Sequence, residues 1–406
     1  MNKRKLFLWS LYDFANSIVF INFLLYFAQW IVIDGGLSDF WYNAIFAIAT
    51  VLLFLSAPIL AAYTDRHGGR KFFLNISTVG TFISYGMAAL LASIGGANIF
   101  VVALLFLLGQ YFYQLSFVFY NPMLAEIADK EHRSRASGIG QLANACGQAV
   151  GILITLPFVY SRTAPLLPAV GVFFALALPM MIFFKEDKLR ERKVSMQTIK
   201  SETADFRKKA MAFFAASIAT PVLVAFFFFN DALITISNNY SIYMERVFAV
   251  PDMTKSILLL AIIVMSAVGG VVAGWLGDRI GLLKTLKIIL FGWVITLPII
   301  ALAPNIIVFS IATIIVGLLL GSVFSTTRAY VSTLLSEEEM GYGFSFYTIC
   351  ERFATFVGPL TWGSMIGLMG TASSSYRIVM GTMNVFIILG FIILVIWKKK
   401  PKVIIA

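Results

Sequence analysis

Lys185–Lys209 reads KEDKLRERKVSMQTIKSETADFRKK, and more than half of these residues carry charge in a chain that is only 13% charged overall. Each charge at the centre of a bilayer costs roughly 2.5–3.5 kcal/mol even on lenient insertion scales, so this stretch must lie in water. Two apolar segments of nearly equal length flank it. This symmetry predicts two similar halves joined by a polar linker.

The rest of the chain has the composition of a membrane protein. It is 60% hydrophobic with a mean hydropathy of +0.89, whereas soluble domains are roughly 45–50% apolar. Apolar runs of about 20 residues recur along it, which favours membrane-spanning helices over a β-barrel. The first run carries Asp13 and Asn16 and lacks a small-residue cleavage site, so we expect a retained helix rather than a cleaved signal peptide.

We predict an all-α membrane protein with twelve transmembrane helices in two six-helix, pseudo-symmetric bundles. The domains are the N-terminal bundle (1–184), the cytoplasmic linker (185–209), the C-terminal bundle (210–397) and a basic cytoplasmic tail (398–406). The predicted spans are 6–32, 41–63, 72–93, 98–125, 136–160, 166–184, 218–244, 254–276, 285–303, 305–330, 342–369 and 376–397.

The basic residues indicate the orientation. Most of the 31 lysines and arginines fall on the linker's side of the predicted spans, which places both termini in the cytoplasm and the protein in the inner or plasma membrane. This orientation and contact with anionic lipid explain the net charge of +11, so nucleic acid is not needed as a partner. The histidines and cysteines lack metal-ligand spacing, so no metal, cofactor or disulfide framework is expected, and Cys146 and Cys350 are expected to be buried.

A charged loop occurs twice at equivalent places. Asp65–Lys71 (DRHGGRK) follows the second span and Gly274–Lys284 (GWLGDRIGLLK) follows the eighth, so the Asp-Arg-x-Gly core that starts at Asp65 recurs at Asp278. Such an internal repeat indicates a duplicated architecture. Glycine permits a tight reversal, and the acid can cap a helix.

This loop resembles the Gly-x-x-x-Asp-Arg-x-Gly signature of the major facilitator superfamily of secondary transporters, although Ala61 stands where the first glycine is usual. The resemblance implies a six-plus-six helical bundle whose halves rock around a central site, with the repeated loops as conformational gates. The gate-loop residues are then Asp65, Arg66, Gly68, Arg70, Asp278, Arg279 and Gly281.

A narrower resemblance begins with LYDFANS, Leu11–Ser17, which is similar to the opening signature of the vacuolar amino-acid effluxer-like family with its many uncharacterised bacterial permeases. Departures are Ala232 in place of a frequent glycine and Glu351-Arg352 in place of a small polar stretch. Amino acids are the substrate class that this resemblance favours. The other matching pieces, in family order, are FYNPMLAEIA (Phe119–Ala128), FNDALITI (Phe229–Ile236), STTRAY (Ser325–Tyr330) and GFSFYTI with Gly358-Pro359 beyond it.

Polar residues at helical spacing mark the first and seventh spans, two of the four that the resemblance places around the cavity. An ionisable group inside a span often marks an ion or substrate path, and a protonatable carboxylate suits proton coupling. The alternative is that each aspartate only ties neighbouring helices together. The residues are Asp13, Asn16 and Ser17 in the first span and Asp231, Thr235 and Asn238 in the seventh.

The fourth and tenth spans complete the predicted pathway. Gln110, Gln114 and Asn121 offer hydrogen bonds in the fourth span, and Ser325 and Arg328 do so in the tenth. The Arg328 guanidinium suits a substrate carboxylate or phosphate, or is permanently neutralised by Asp231 or Glu351, and the sequence leaves both open. For Glu351 and Arg352 a structural role between helices is favoured over substrate contact, and the sequence leaves both open.

We expect a monomeric secondary active transporter that moves a small polar solute, with amino acids as the favoured substrate and protons as a candidate coupling ion. The sequence contains no phosphate-cradling Gly-Lys-Ser/Thr loop and no nucleophile with its base, so neither ATP-driven transport nor an enzyme is expected. One alternative is an exporter of another metabolite or amphipathic compound. The other is a transport-inactive membrane receptor or scaffold.

Overall fold

The computed structural model describes residues 2–129, 132–186, 217–335, 347, 350–351 and 354–397, without the side chains of residues 62, 65, 66, 133 and 134. Most of the predicted linker, the basic tail, Arg352 and the gate-loop side chains of Asp65 and Arg66 lie outside this part. Over the described residues the regular structure is helical, without strands, which confirms the all-α prediction.

Twelve long helices follow one another in the described part. All except the eleventh are long and apolar enough to span a membrane. They are α1 (Lys3–Asn22), α2 (Asp39–His67), α3 (Arg70–Ile94), α4 (Ile99–Tyr120), α5 (Arg133–Thr155), α6 (Leu166–Phe183), α7 (Thr220–Phe248), α8 (Asp252–Ile280), α9 (Leu282–Leu302), α10 (Ile306–Leu334), α11 (Val357–Met369) and α12 (Ser373–Ile396).

Polar caps begin several of these helices. The side-chain oxygens of Asn2, Ser38, Asn98 and Asn305 accept hydrogen bonds from backbone N–H groups in the first turns of α1, α2, α4 and α10. The first N–H groups of a helix have no partner within it, and a cap of this kind contributes about 0.5–2 kcal/mol. The cap residues therefore help to fix where these apolar segments become helical.

The first span departs from a regular α-helix. After α1 the chain forms two π-helical turns, Phe23–Phe27 and Trp30–Asp34, so the helical segment continues to Asp34 rather than ending at residue 32. A π turn closes i→i+5 hydrogen bonds and is often found at functional sites. Residues beyond the turns consequently lie on a different face from the one that a 3.6-residue period predicts.

Two sequence predictions are wrong in detail. A turn at residues 354–356 interrupts the span predicted at 342–369, and α11 begins only at Val357. This interruption leaves backbone N–H groups at the start of α11 that need partners. Cys350 is buried as expected, but Cys146 is exposed.

The first of two compact units contains α1–α6, the end of α7 and the start of α8. In it α1 packs against α5 and α6, and α4 packs against α2 and α3. The backbones of α1 and α5 come so close that a Cβ atom at Gly147 would lie 2.3 Å from the carbonyl oxygen of Phe14, so small residues permit this contact. The unit comprises Met1–Thr203, Asn238–Glu245 and Ala249–Leu260.

The second unit holds most of α7 and α8 and all of α9–α12. In it α9 packs against α10 and α12, and α11 packs against α12. The Arg377 guanidinium donates hydrogen bonds of 3.0 and 2.7 Å to the carbonyls of Ala301 and Ala303, which places a cation at the C-terminal end of α9, where it is favourable. The unit comprises Ala204–Ser237, Arg246–Phe248 and Ala261–Ala406.

Candidate substrate and proton pathway

Asp13 is held at the contact between α1 and α5. Its Oδ1 accepts a 2.9 Å hydrogen bond from Nδ2 of Asn144, and Oδ1 of Asn144 accepts one of 2.8 Å from Nε2 of Gln148. The aspartate is buried, and the Asn144 amide satisfies part of its hydrogen-bonding capacity. Asn144 and Gln148 were not among the predicted site residues; their spacing of one helical turn in a span rich in small side chains is the signal that points to them.

Asn16 and Ser17 bond to the backbone of their own helix. Nδ2 of Asn16 donates to the carbonyl of Tyr12 at 2.9 Å, and Oγ of Ser17 donates to the carbonyl of Asp13 at 2.8 Å. Both side chains are buried. These hydrogen bonds are local, so Asp13 is the member of this predicted set that connects to a neighbouring helix.

Asp231 is a half-satisfied carboxylate in the second unit. The backbone N–H of Gly358 donates a 2.6 Å hydrogen bond to its Oδ2. Among the described residues its Oδ1 has no hydrogen-bond partner, although Asp231 is fully buried. The Thr235 hydroxyl donates to the backbone carbonyl of Asp231 at 2.6 Å. Buried polar atoms nearly always have partners, so the bare Oδ1 calls for an explanation.

The eleventh span meets α7 on both sides of its turn. Gly358 is the second residue of α11, so the Asp231 carboxylate lies at the N-terminal end of this helix, where free N–H groups and the helix dipole favour negative charge. Nδ2 of Asn230 donates to the carbonyl of Glu351 at 3.2 Å, before the turn. Asn230 and Asp231, which are adjacent on α7, therefore bind the backbone before and after the turn at residues 354–356.

Arg328 and Ser325 are exposed on α10. The Ser325 hydroxyl donates to the carbonyl of Ser322 at 3.2 Å. Within the part of the chain that the structure describes, Arg328 forms no ion pair with Asp231 or Glu351. Of the two interpretations that the sequence left open for Arg328, permanent neutralisation by these acids is therefore not the arrangement found here.

A cavity in the first unit lies between α1, α2, α4 and the end of α7. Its volume is about 10 Å³, which is roughly the room that one water molecule needs. Of the predicted pathway residues it contains Asn238, which lies beside Gln110. Gln114 lies one turn from Gln110 on α4, whereas Asn121 is exposed after the end of α4. Its lining consists of Phe20, Phe23, Leu24, Tyr42, Phe46, Phe106, Gln110 and Asn238.

Arg162, in the connection between α5 and α6, makes three ion pairs in this unit. Its nitrogen atoms lie 2.8 Å from Asp34, 2.9 Å from Glu245 and 3.3 Å from Asp252. Burial lowers the pKa of the guanidinium, but the charges of Asp252, Asp34 and Glu245 raise it further, so the net pKa lies above its usual value. Arg162 consequently stays charged throughout the physiological range of pH.

Lys255 completes a closed arrangement of alternating charge. Its fully buried Nζ contacts the Glu245 carboxylate and lies 2.6 Å from Oδ1 of Asp252, and Oε1 of Gln29 accepts a further hydrogen bond of 2.5 Å. Such partners are needed because an isolated buried charge is very costly. We call Arg162, Glu245, Lys255 and Asp252 the charge ring; none of them was a predicted site residue.

The repeated loops turn at glycine in both copies. Gly68 has φ +72° and Gly281 has φ +90°, backbone conformations that favour glycine. In the first copy Nη1 of Arg70 lies 3.6 Å from Glu126, and the backbone N–H of Arg70 donates to Glu186 at 2.9 Å, so a carboxylate satisfies the start of α3. The loop therefore connects to the ends of α4 and α6.

The charged residues in the second copy of the repeated loop are exposed. Asp278 and Arg279 are exposed, and the Arg279 guanidinium lies over the Trp275 ring at 3.8 Å from its centroid, a cation–π contact. The two copies thus share a backbone turn but use their basic residues differently.

The protein family can be assigned from a match over nearly the whole chain. The model of the Major Facilitator Superfamily matches residues 10–238 and 222–404. The chain belongs to the major facilitator superfamily. It is therefore a multi-pass membrane protein and a secondary transporter rather than an enzyme, as the repeated loop indicates.

The relatives of this superfamily member are distant. A protein of Aquifex aeolicus without known function is 24% identical over 362 residues, 87% of this chain and 86% of the relative. An uncharacterised MFS-type transporter of Bacillus subtilis is 23% identical over 398 residues, 90% of this chain and 89% of the relative. A crystal structure of a mutant nucleoside transporter, NupG, has a TM-score of 0.74 at 11% identity and covers 97% of this chain and 100% of its own. A likeness at this identity shows the fold alone.

Proposed function

We propose that this transporter moves a small polar solute across the inner or plasma membrane by proton-coupled alternating access, with both termini in the cytoplasm. The observation that carries the coupling is Asp231, whose buried carboxylate has one oxygen bound to the N–H of Gly358 and one without a partner among the described residues. The bare oxygen can take up a proton while the other keeps its hydrogen bond. Because Gly358 lies in the first turn of α11, the charge on Asp231 acts directly on the start of that helix.

Asp13 supports the same proposal from the first unit. Asp13 on α1 is bound by Asn144 on α5, and Asp231 on α7 is bound by Gly358 on α11. The step along the chain from Asp13 to Asp231 nearly equals the step from Asn144 to Gly358, as expected for equivalent sites in a duplicated chain. The pathway that we propose consists of Asp13, Asn16, Ser17, Gln114, Asn121, Asp231, Thr235, Asn238, Ser325 and Arg328.

Amino acids are the first substrate class to test, because the narrower resemblance favours them. The Arg328 guanidinium, which has no ion-pair partner in the described part of the chain, suits a carboxylate, and an aspartate suits an amine. Another metabolite or an amphipathic compound is the second class.

Counterflow in proteoliposomes tests the transport step. The purified chain should exchange a labelled solute for the same unlabelled solute, and an inward proton gradient should drive its accumulation. A protonophore should abolish accumulation but leave exchange intact. Binding without any exchange would instead indicate a receptor or scaffold, and accumulation that ignores the proton gradient would remove the proposed coupling.

A further inference from the structure

The helix α5 presents three faces that differ in their side chains. One face packs closely on α1 through Gly147 and Gly151. Leu142 and Leu153 are 63% and 50% exposed on a second face, and exposed apolar side chains of a membrane-spanning helix suit lipid. The helical period places a third face beside the glycines, and this face carries amides, among them the partly exposed Gln148.

The side-chain oxygen of Gln148 is an acceptor that the protein leaves open. Oε1 of Gln148 accepts no hydrogen bond within the part of the chain that the structure describes. In hydrocarbon a polar atom without a partner is very costly, because no water is present to replace that partner. This oxygen therefore faces water or a dissolved molecule, unlike the apolar face of the same helix.

A directed chain of hydrogen bonds runs from Gln148 to Asp13. Nε2 of Gln148 donates to Oδ1 of Asn144 at 2.8 Å, and Nδ2 of Asn144 donates to Oδ1 of Asp13 at 2.9 Å. The chain has one direction, because in each amide the oxygen accepts and the nitrogen donates. Hydrogen bonds in such a chain polarise one another, so a donor bound at Oε1 of Gln148 strengthens the bond that ends at Asp13.

Close packing of α1 and α5 keeps this chain of hydrogen bonds in place. Beyond Gln148, Nδ2 of Asn22 donates to the carbonyl of Gly151 at 3.1 Å, and Oγ1 of Thr155 donates to Oδ1 of Asn22 at 2.7 Å. Small residues let the two backbones meet, and these bonds fix their register. The position of the Asn144 amide beside Asp13 is thus set by the helix contact, as a positioning group requires.

We propose that Gln148 contacts the transported solute and that Asn144, as a positioning residue, passes this contact on to Asp13. The inference rests on the proposed transport function and adds one requirement, that the solute presents an N–H or O–H donor to Oε1 of Gln148. Asp13 is one of the two acids proposed for proton coupling. The chain of hydrogen bonds therefore gives solute binding a route to the coupling group.

Two substitutions separate solute contact from coupling. Gln148→Leu keeps most of the side-chain volume but removes the acceptor, so the solute concentration at half-maximal counterflow should rise about tenfold. Asn144→Leu keeps that acceptor and should leave this concentration nearly unchanged, but accumulation driven by a proton gradient should fall about tenfold. Gln141→Leu is the matched control, because Gln141 is exposed two turns before Gln148 and makes no hydrogen bond within the described residues, so neither quantity should change.

Cysteine labelling tests the position of Gln148 without knowledge of the solute. N-ethylmaleimide reacts with the thiolate, which forms in water and not in lipid. With Cys146 and Cys350 replaced by serine, Gln148→Cys should be labelled in proteoliposomes much faster than Leu153→Cys, although Leu153 is the more exposed residue. Equal labelling rates would overturn the inference whichever solute is transported.

Leucine, glutamine, uridine and glucose, which all carry N–H or O–H donors, are the probes for melting temperature and counterflow of the purified full chain. A probe that exchanges equally well with the wild type and with Gln148→Leu would leave the transport proposal standing and show that this inference is wrong. A probe that raises the melting temperature of the wild type but not of Gln148→Leu, and never exchanges, would support the contact at Gln148 and contradict transport.

Discussion

The backbone N–H of Gly358 lies 2.6 Å from Oδ2 of Asp231, so an acid in the middle of α7 serves as the N-terminal partner of α11. The same acid leaves its Oδ1 without a partner among the described residues. Asp231 therefore binds the start of α11 with one oxygen and has a second oxygen that can take up a proton. The sequence left helix tying and transport as alternatives for this aspartate, and the geometry allows both at once.

Asp231→Asn should separate these two roles. The amide oxygen of asparagine can still accept from Gly358, so the fold should be retained, but the side chain can no longer exchange a proton. We expect accumulation driven by a proton gradient to fall about tenfold or more, the size of a coupling free energy of about 1.4 kcal/mol, while counterflow persists. Unchanged gradient-driven accumulation in proteoliposomes would contradict the assignment.

Gly358→Ala should destabilise the second unit. A Cβ atom there would lie 2.3 Å from Oγ1 of Thr235 and 2.9 Å from the carbonyl oxygen of Asp231, so α7 and α11 would have to move apart. Overpacking of this kind costs about 1–3 kcal/mol, which should appear as a lower melting temperature and slower exchange. Gly367→Ala is the matched control on the same helix, because nothing lies within 4 Å of its Cβ position. Equal melting temperatures for the two variants would show that the contact is not tight.

Arg162→Ala should open the charge ring and expose the end of α7 to reagents. Glu245 and Asp252 would then share Lys255 alone, and removing one partner from a fully buried ion pair costs about 3–5 kcal/mol, with less expected here because Arg162 is partly exposed. The measurement is the rate at which a membrane-impermeant maleimide labels Ser241→Cys, a fully buried position, in a background without native cysteines.

Asp34→Asn is the control for the ring. Asp34 contacts Arg162 from a more exposed position, and exposed ion pairs contribute only about 0–1 kcal/mol, so labelling should hardly change. Arg162→Ala should accelerate labelling about tenfold. If both variants label at the wild-type rate, the ring does not hold this end of the unit closed.

Gly281→Ala should cost stability through the backbone alone. No atom lies within 4 Å of its Cβ position, but its φ of +90° is unfavourable for alanine, and strain of this kind costs about 1–2 kcal/mol. Gly274→Ala, in the helical part of the same loop motif, also has open space and should stabilise by up to about 1 kcal/mol. Thermal unfolding of the two variants should therefore shift in opposite directions, and shifts of the same sign would be inconsistent with the turn geometry.

The sequence predicts the helices well because a span needs a long apolar run, and such runs are visible locally. It also finds Asp13 and Asp231, since a charge inside such a run is conspicuous. It does not find their partners Asn144 and Gly358, or the ion pair between Arg162 and Glu245, because these contacts join residues that are far apart in the chain. Contacts of that kind are set by the packing of helices and leave no periodic signal.

The polar residues of the candidate site show the same limit. Gln110, Gln114 and Asn238 stand out as polar positions in the sequence, but so do Asn16 and Ser17, which bond to their own helix. Only the structure separates polar groups that already have partners from those that do not.

The two π-helical turns after α1 change the twist of the first span. Phe20 lines the cavity and Gln29 supports Lys255, and the turn at Phe23–Phe27 lies between them. A π turn keeps its backbone groups in i→i+5 hydrogen bonds, which a span in hydrocarbon requires. The part of the span that reaches the charge ring is consequently offset about the helix axis from the part that contains Phe20, without a break in the span.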